Sequence, residues 1–133
     1  MSITPILVYP DVERAVDWLT RVFGLVEHVR IGDHRAQLGV GDGALIVADA
    51  SHGRRPPGGD GVTHSVLVRV DDVDQHYRLA EAAGTQIISG PQTLPFGERQ
   101  YTAADLGGHH WTFTQSVADV SPEEWGGTTR TAW

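Results

Sequence analysis

Pro95-Phe-Gly-Glu-Arg-Gln-Tyr-Thr-Ala-Ala-Asp-Leu-Gly-Gly-His-His-Trp-Thr-Phe113 is the stretch from which the rest of the chain is read. It predicts a polar strand over Arg99–Ala103, a tight turn over Asp105–Gly108, and a strand carrying Trp111 and Phe113. Asp105 and the two glycines suit a turn that needs a local side-chain hydrogen bond and a positive φ. Gln37 to Ala48 has the same layout: a short strand, a Gly41-Asp42-Gly43 turn, then Ala44-Leu45-Ile46-Val47-Ala48. Laying Gly43 on Gly108 sets Ala44–Ala48 over His109–Phe113 and makes the chain a duplication.

The segments further out repeat as well. Ile3–Tyr9 is a run of β-formers stopped by Pro10, and Asp11 is placed to cap a helix over Val12–Val22 that Gly24 ends. Strands are expected over Leu25–Ile31, Asp33–Val40 and Ala44–Asp49. Ser51–Val62, with Arg54-Arg55-Pro56-Pro57-Gly58-Gly59, has linker composition. The order then returns: strand His64–Val70, cap Asp71 or Asp72, helix Val73–Ala83, stop Gly84, and strands Thr85–Ile88, Arg99–Ala103 and His109–Gln115. Two copies of β-α-β-β-β point to an α+β domain over residues 1–115, with module one over 1–50, a loop over 51–62 and module two over 63–115. In the tail, 116–133, Ser121-Pro122-Glu123-Glu124-Trp125 has a helix start that Gly126-Gly127 stops at once.

Composition removes several function classes. The 133 residues carry a net charge of -7, and all ten basic residues are arginine. An acidic chain without a basic run suits neither nucleic acid nor an anionic membrane. The absence of cysteine excludes disulfides and thiolate metal sites. No run approaches membrane-spanning length, and Met1–Asp11 lacks signal-peptide features, so a soluble cytoplasmic protein is expected.

The paired modules, with Tyr9-Pro10-Asp11-Val12, Val70-Asp71-Asp72-Val73-Asp74 and Asp105-Leu106-Gly107-Gly108-His109, resemble the vicinal oxygen chelate superfamily of glyoxalases, extradiol dioxygenases, and fosfomycin- and bleomycin-resistance proteins. The resemblance spans about residues 3–115 and implies curved mixed sheets that form a cup. In the family a divalent metal usually sits in that cup, held by His, Gln or Glu. The resemblance places those ligands seven residues before each capping Asp and four after each turn glycine. Here the positions are Thr4, Ser65, Val47 and Thr112, none a credible ligand for metal catalysis, so no metal or other cofactor is expected. His64 is one residue off: strand alternation points it away from Ser65's face, towards the interdomain loop, whereas a one-residue shift of register would turn it into the cup as a ligand.

With those four residues inward, alternation adds Ile6, Val8, Leu67, Arg69, Leu45, Asp49, His110 and Thr114, a small-molecule lining in which Arg69 and Asp49 sit inside or at the rims. Val66, Val68, Val70, Trp111 and Phe113 take the opposite face, against the helices. Arg99 and Tyr101 share a face: either they line one wall of the cup, or Arg99 pairs with Glu98 or a surface acid while Tyr101 fills core. Only one of His109 and His110 can enter the cup, and neither has an acid beside it in sequence to orient it as an acid–base group. Ser65 lacks a His-Asp arrangement for nucleophilic catalysis.

Two functions remain. One is a metal-free cup binding a small organic molecule, an antibiotic for instance, through Thr4, Ile6, Val47, Ser65, Leu67, Arg99, Tyr101, His110 and Thr112. The other is a glyoxalase-like lyase or isomerase, or a dioxygenase, with a displaced metal site. A homodimer is expected, since the family commonly completes its cups between chains, with Trp125 and Trp133 as interface anchors.

Overall fold

The computed structural model describes residues 1–131 and contains two four-stranded mixed sheets with two helices, an α+β fold. Module one holds β1 (Ile6–Val8), α1 (Val12–Trp18), β2 (Val26–Ile31), β3 (Arg35–Val40) and β4 (Gly43–Ala48). Module two holds β5 (Ser65–Arg69), α2 (Val73–Ala82), β6 (Gln86–Thr93), β7 (Glu98–Ala104) and β8 (His110–Ser116). The sheet orders β1-β4-β3-β2 and β5-β8-β7-β6 are the same order twice. In each module the first strand runs parallel to the last, and the other neighbours are antiparallel.

The helices start where the aspartates require. Asp11 and Asp72 have extended backbones and accept from Arg14 N at 3.0 Å and Gln75 N at 3.1 Å. Gly24 and Gly84 both take the left-handed conformation at φ 82°. The expected Val12–Val22 helix is α-helical only to Trp18, and Leu19–Phe23 forms a π-helical turn. The wider turn brings Leu19, Val22 and Phe23 all into the core.

β6 continues past the expected end at Ile88 through Gly90 and Pro91. Its register against β7 shifts twice, and it is an edge strand, where proline removes no ladder donor that a neighbour needs.

The two modules share one core on their helix-bearing faces. Phe23 of module one lies 5.3 Å from the Trp111 ring and 4.8 Å from the Phe113 ring of module two. His76 on α2 joins them: its Nε2 is 3.1 Å from the Phe23 carbonyl, and its Nδ1 is 2.6 Å from the Tyr101 hydroxyl. A carbonyl only accepts, so Nε2 carries the proton and the Tyr101 hydroxyl donates to Nδ1. Burial holds the His76 imidazolium pKa below its ordinary value, although the Phe23 carbonyl opposes this.

A second tie between the modules explains two of the sequence signatures. The Tyr9 hydroxyl donates to Asp105 Oδ2 at 2.5 Å, and Trp111 Nε1 donates to the same oxygen at 2.9 Å. Asp105 Oδ1 accepts from the Gly107 and His109 amides at 2.9 and 3.0 Å. Four donors thus satisfy a buried carboxylate, the condition under which burying one is tolerable. Burial first, then the Asp105 charge and hydrogen bond, push the Tyr9 phenol far above its ordinary range, so its proton stays put. A Cβ at Gly107 would come within 2.6 Å of the Tyr9 ring, so the turn has room there only for glycine.

The tail lies on its own module. Val117 and Ala118 amides donate to the Gly97 carbonyl at 2.9 and 3.2 Å, and Ser121 and Glu124 form a capping box over the short 3₁₀ turn Pro122–Trp125. Trp125 packs edge-on against Phe96, with ring centroids 5.6 Å apart, while 44% of its surface stays exposed. Trp133, the other expected anchor, lies outside the described residues.

Candidate ligand-binding cup

Each sheet turns one face to the helices and leaves the other open, and the strand registers decide which residue goes where. In module two Val66 pairs with Trp111 and Val68 with Phe113, on the helix side. Ser65, Leu67 and Arg69 of β5 therefore share the open face with His110, Thr112 and Thr114 of β8, as alternation predicts. From β7 the same face receives Glu98, Gln100 and Thr102.

These β7 and β8 side chains form a connected network. The Thr102 and Thr112 hydroxyls are 2.9 Å apart. Gln100 Nε2 donates to Thr114 Oγ1 at 3.2 Å, and Thr114 Oγ1 donates to Glu98 Oε1 at 2.9 Å. Arg69 Nη2 meets the same Glu98 oxygen at 2.8 Å, while Ser116 Oγ donates to Oε2 at 2.6 Å. The Glu98 side chain is only 13% exposed. Burial opposes its ionisation, but the Ser116 hydroxyl, the Arg69 guanidinium and the Thr114 hydroxyl outweigh burial and hold its carboxyl below the usual range. This half of the cup is a fixed hydrogen-bonding floor built around the Glu98–Arg69 ion pair.

The module-one face is more apolar, although Arg35, Gln37 and His28, whose ring lies over Gly39, share it. Ile6 pairs with Ile46, Ile46 with Gln37, and Gln37 with Val29, and these share the face away from the helices. Ile6, Val26, Val29 and Ile31 are each 39% exposed or more. The bulge between Glu27 and Val29 lets Val26, Val29 and Ile31 all face this way. Exposed Thr4 lines a cavity of about 170 Å³ with Gln37, Ala44 and Ile46. Where the modules meet, a cleft of about 330 Å³ runs between Ile3 and Pro5, the Gly41–Gly43 turn, and Leu67 and Arg69 of β5. That volume is within the small-molecule range.

Four expected lining residues lie elsewhere. Val47 is fully buried on the helix face, where it pairs with Leu7, and Leu45 is buried with it. The physical reason is a difference of one residue between the hairpins. Gly43 is already paired with Val40 across a Gly41-Asp42 turn, whereas Gly108 stays outside the ladder and pairing begins at Ala104 with His110. A slip of one residue exchanges the faces of a whole strand, so Ile46, not Val47, matches Thr112.

Tyr101 is also buried on the helix side, stacked on Phe113 with centroids 5.3 Å apart. Arg99, on that same side, pairs with Asp74 of α2 at 3.1 Å and donates to Thr93 Oγ1 at 3.2 Å. Their shared face is therefore the helix side, and its alternates Glu98, Gln100 and Thr102 are the ones that face the cup. The aromatic Tyr101, two residues from Ala103 and opposite Phe113, was the available signal.

The remaining expected residues fall as follows. Ile6, Thr4, Ser65, Leu67, His110 and Thr112 are on the open faces, and Arg69 reaches Glu98. Asp49 sits at a rim, bound by His34 Nδ1 at 3.0 Å and Ser51 Oγ at 2.8 Å. His109 is buried at the module junction, where its Nε2–H donates to the Val8 carbonyl at 2.7 Å. His64 turns from the cup to the loop, its ring 6.1 Å from that of His109.

The residues at the metal positions that the resemblance implies are thus Thr4, Ile46, Ser65 and Thr112. Three hydroxyls and an aliphatic side chain do not fit a divalent catalytic metal, which takes imidazole or carboxylate donors. Among the described residues no three His, Asp or Glu side chains converge as a metal-binding group elsewhere.

This doubled sheet with its open, cup-forming faces is that of a known family: over residues 3–113 the chain matches the model of the glyoxalase/bleomycin resistance protein/dioxygenase superfamily, and it belongs to that family. TioX from Micromonospora sp. ML1 is 39% identical, with 87% of this chain and 99% of that one covered and a TM-score of 0.72. A glyoxalase/bleomycin resistance protein/dioxygenase from Nocardioides is 23% identical over 92% of this chain and 87% of its own, also at a TM-score of 0.72. The fosfomycin resistance protein FosX from Mesorhizobium loti is 15% identical over 86% of this chain and 91% of its own, at a TM-score of 0.65. The last two likenesses are of fold alone. Among the described residues no helix is long and apolar enough to cross a membrane.

Proposed function

We propose that this chain is a cytoplasmic binding protein that takes a small organic molecule, antibiotic-like in size and polarity, into a metal-free cup. The observation that carries the reading is the set Thr4, Ile46, Ser65 and Thr112 at the positions where the family places its metal ligands. Family membership alone assigns no activity, so the site chemistry decides. The open faces offer two kinds of surface, the Ile6 and Ile46 side of module one and the Glu98-centred floor of module two. A ligand suited to the cup is flat and apolar on one side and, on the other, carries a hydrogen-bonding group for Gln100 or a cationic group that replaces the exposed Arg69 guanidinium on Glu98. The bare module-one face supports assembly as a homodimer, in which a second copy covers Ile6, Val26, Val29 and Ile31 and completes each cup.

The test is a thermal-shift series with planar cationic aromatic compounds against neutral analogues of the same shape. Cationic members raise the melting temperature because they bind the folded state only. Glu98→Gln weakens them about tenfold, the loss of one charge-assisted contact, and leaves the neutral analogues unchanged. Leu67→Glu weakens both. Shifts that neither substitution alters contradict the site, and metal-dependent turnover of a substrate would favour the lyase, isomerase or dioxygenase reading instead.

A further inference from the structure

We propose that the cavity under the interdomain loop, beside His64 and His109, is a second site, one for a small phosphate-type oxyanion. It is separate from the cup: alternation along β5 sends His64 to the side opposite Ser65, where residues 55–63 fold over it. The cavity measures about 220 Å³, and Arg55, Pro56, Pro57, His64 and His109 form its walls with Gly58, Gly61, Val62 and Thr63. That is room for a phosphate group with a few atoms attached, not for a cup ligand.

The lining is basic in a chain of net charge -7. Arg55 makes no ion pair among the described residues, although Arg21, Arg30, Arg69 and Arg99 each do. Acids are kept out of reach: Asp60 is in the loop but not in the wall, and both oxygens of nearby Asp105 are filled by four donors. Among the described residues the backbone N–H groups of Gly58, Gly61, Val62 and Thr63 make no backbone hydrogen bond. Free amides along a glycine-rich turn, with a guanidinium beside them, are the donors that bind oxyanions.

His109 is fixed in advance. Its Nε2–H is held by the Val8 carbonyl, its amide by Asp105, and its ring lies 4.7 Å from that of Tyr9. His64, 6.1 Å from it and exposed, is the movable partner. Two imidazoles with no third His, Asp or Glu beside them among the described residues fall short of a divalent-metal ligand set, and the movable His64 can turn an N–H towards an anion.

Calorimetric titration of the full chain with inorganic phosphate, and separately with phenyl phosphate, tests the site. Saturable one-to-one binding of phosphate is expected, about tenfold weaker in Arg55→Ala and in His64→Ala. Both side chains are exposed, so the ligand-free variants keep the parent melting temperature, and Arg55→Ala keeps the cup's response to cationic aromatics. Tighter binding of phenyl phosphate assigns the site to an organic phosphate, and equal binding to the free ion. Lack of saturation by either compound, or undiminished binding by both variants, overturns the proposal without touching the cup.

Discussion

Replacing Tyr9 by Phe should loosen the junction between the modules by an amount the structure defines. The substitution keeps the ring that packs at 4.7 Å from His109 and removes only the hydroxyl that donates to Asp105. Asp105 Oδ2 then keeps a single donor, Trp111 Nε1, while Oδ1 keeps its two amides. Losing a buried hydrogen bond to a charged acceptor costs about 1.5–3 kcal/mol. At ~3 °C per kcal/mol for a domain of this size, the melting temperature falls by about 5–9 °C. Asp105→Asn should cost more, about 3 kcal/mol or above, because an amide group cannot accept from four donors and leaves some of them buried and unpaired. Urea denaturation measures both. Because Tyr9 and Trp111 share one oxygen, Tyr9→Phe and Trp111→Phe should also combine non-additively. A Tyr9→Phe variant within about 0.5 kcal/mol of the parent, the range of neutral surface changes, would refute the idea that this contact ties the modules.

Two further outcomes follow from the core and the open face. His76 is neutral when folded because burial lowers its pKa, while the unfolded chain titrates near the ordinary value of about 6.5. The unfolded state then binds more protons as pH falls through that value, so stability is full above it and declines below it. Urea midpoints at neutral pH and at about pH 5 should show this decline in the parent and much less of it in His76→Gln; equal declines would exclude His76 as the cause. On the open face, Ile6→Glu and Val29→Glu place charge where a second copy is proposed to cover the sheet, and sedimentation should show a dimeric parent and monomeric variants. A parent that sediments as a monomer at micromolar concentration contradicts that assembly.

The duplication was legible because its signals are local. Asp11 and Asp72 cap, Gly24 and Gly84 stop, and β-branched runs form strands, whatever the rest of the chain does. The β5 and β8 part of module two's open face was legible too, since Trp111 and Phe113 identify the core side and alternation supplies the other. In module one Leu45 and Val47 are no more apolar than Ile46, so composition could not choose the face, and only the two-residue hairpin turn does. Arg99 and Tyr101 drew notice as a polar pair, yet a guanidinium can reach a helix carboxylate from a core-side position, as Arg99 does with Asp74. The Glu98 network joins residues from β5, β7 and β8, and no local pattern announces contacts so distant in sequence. The same holds for the Tyr9–Asp105 bond, which spans 96 positions.

The central claim, a cup that binds without a metal, is tested most directly by elemental analysis of the purified protein, paired with its melting temperature before and after a strong chelator. Thr4, Ile46, Ser65 and Thr112 predict less than stoichiometric zinc, iron or manganese and an unchanged melting temperature, since no folded-state metal stabilisation exists to be lost. One equivalent of tightly held divalent metal per chain, with a melting temperature that falls on chelation and returns on reloading, would contradict the account.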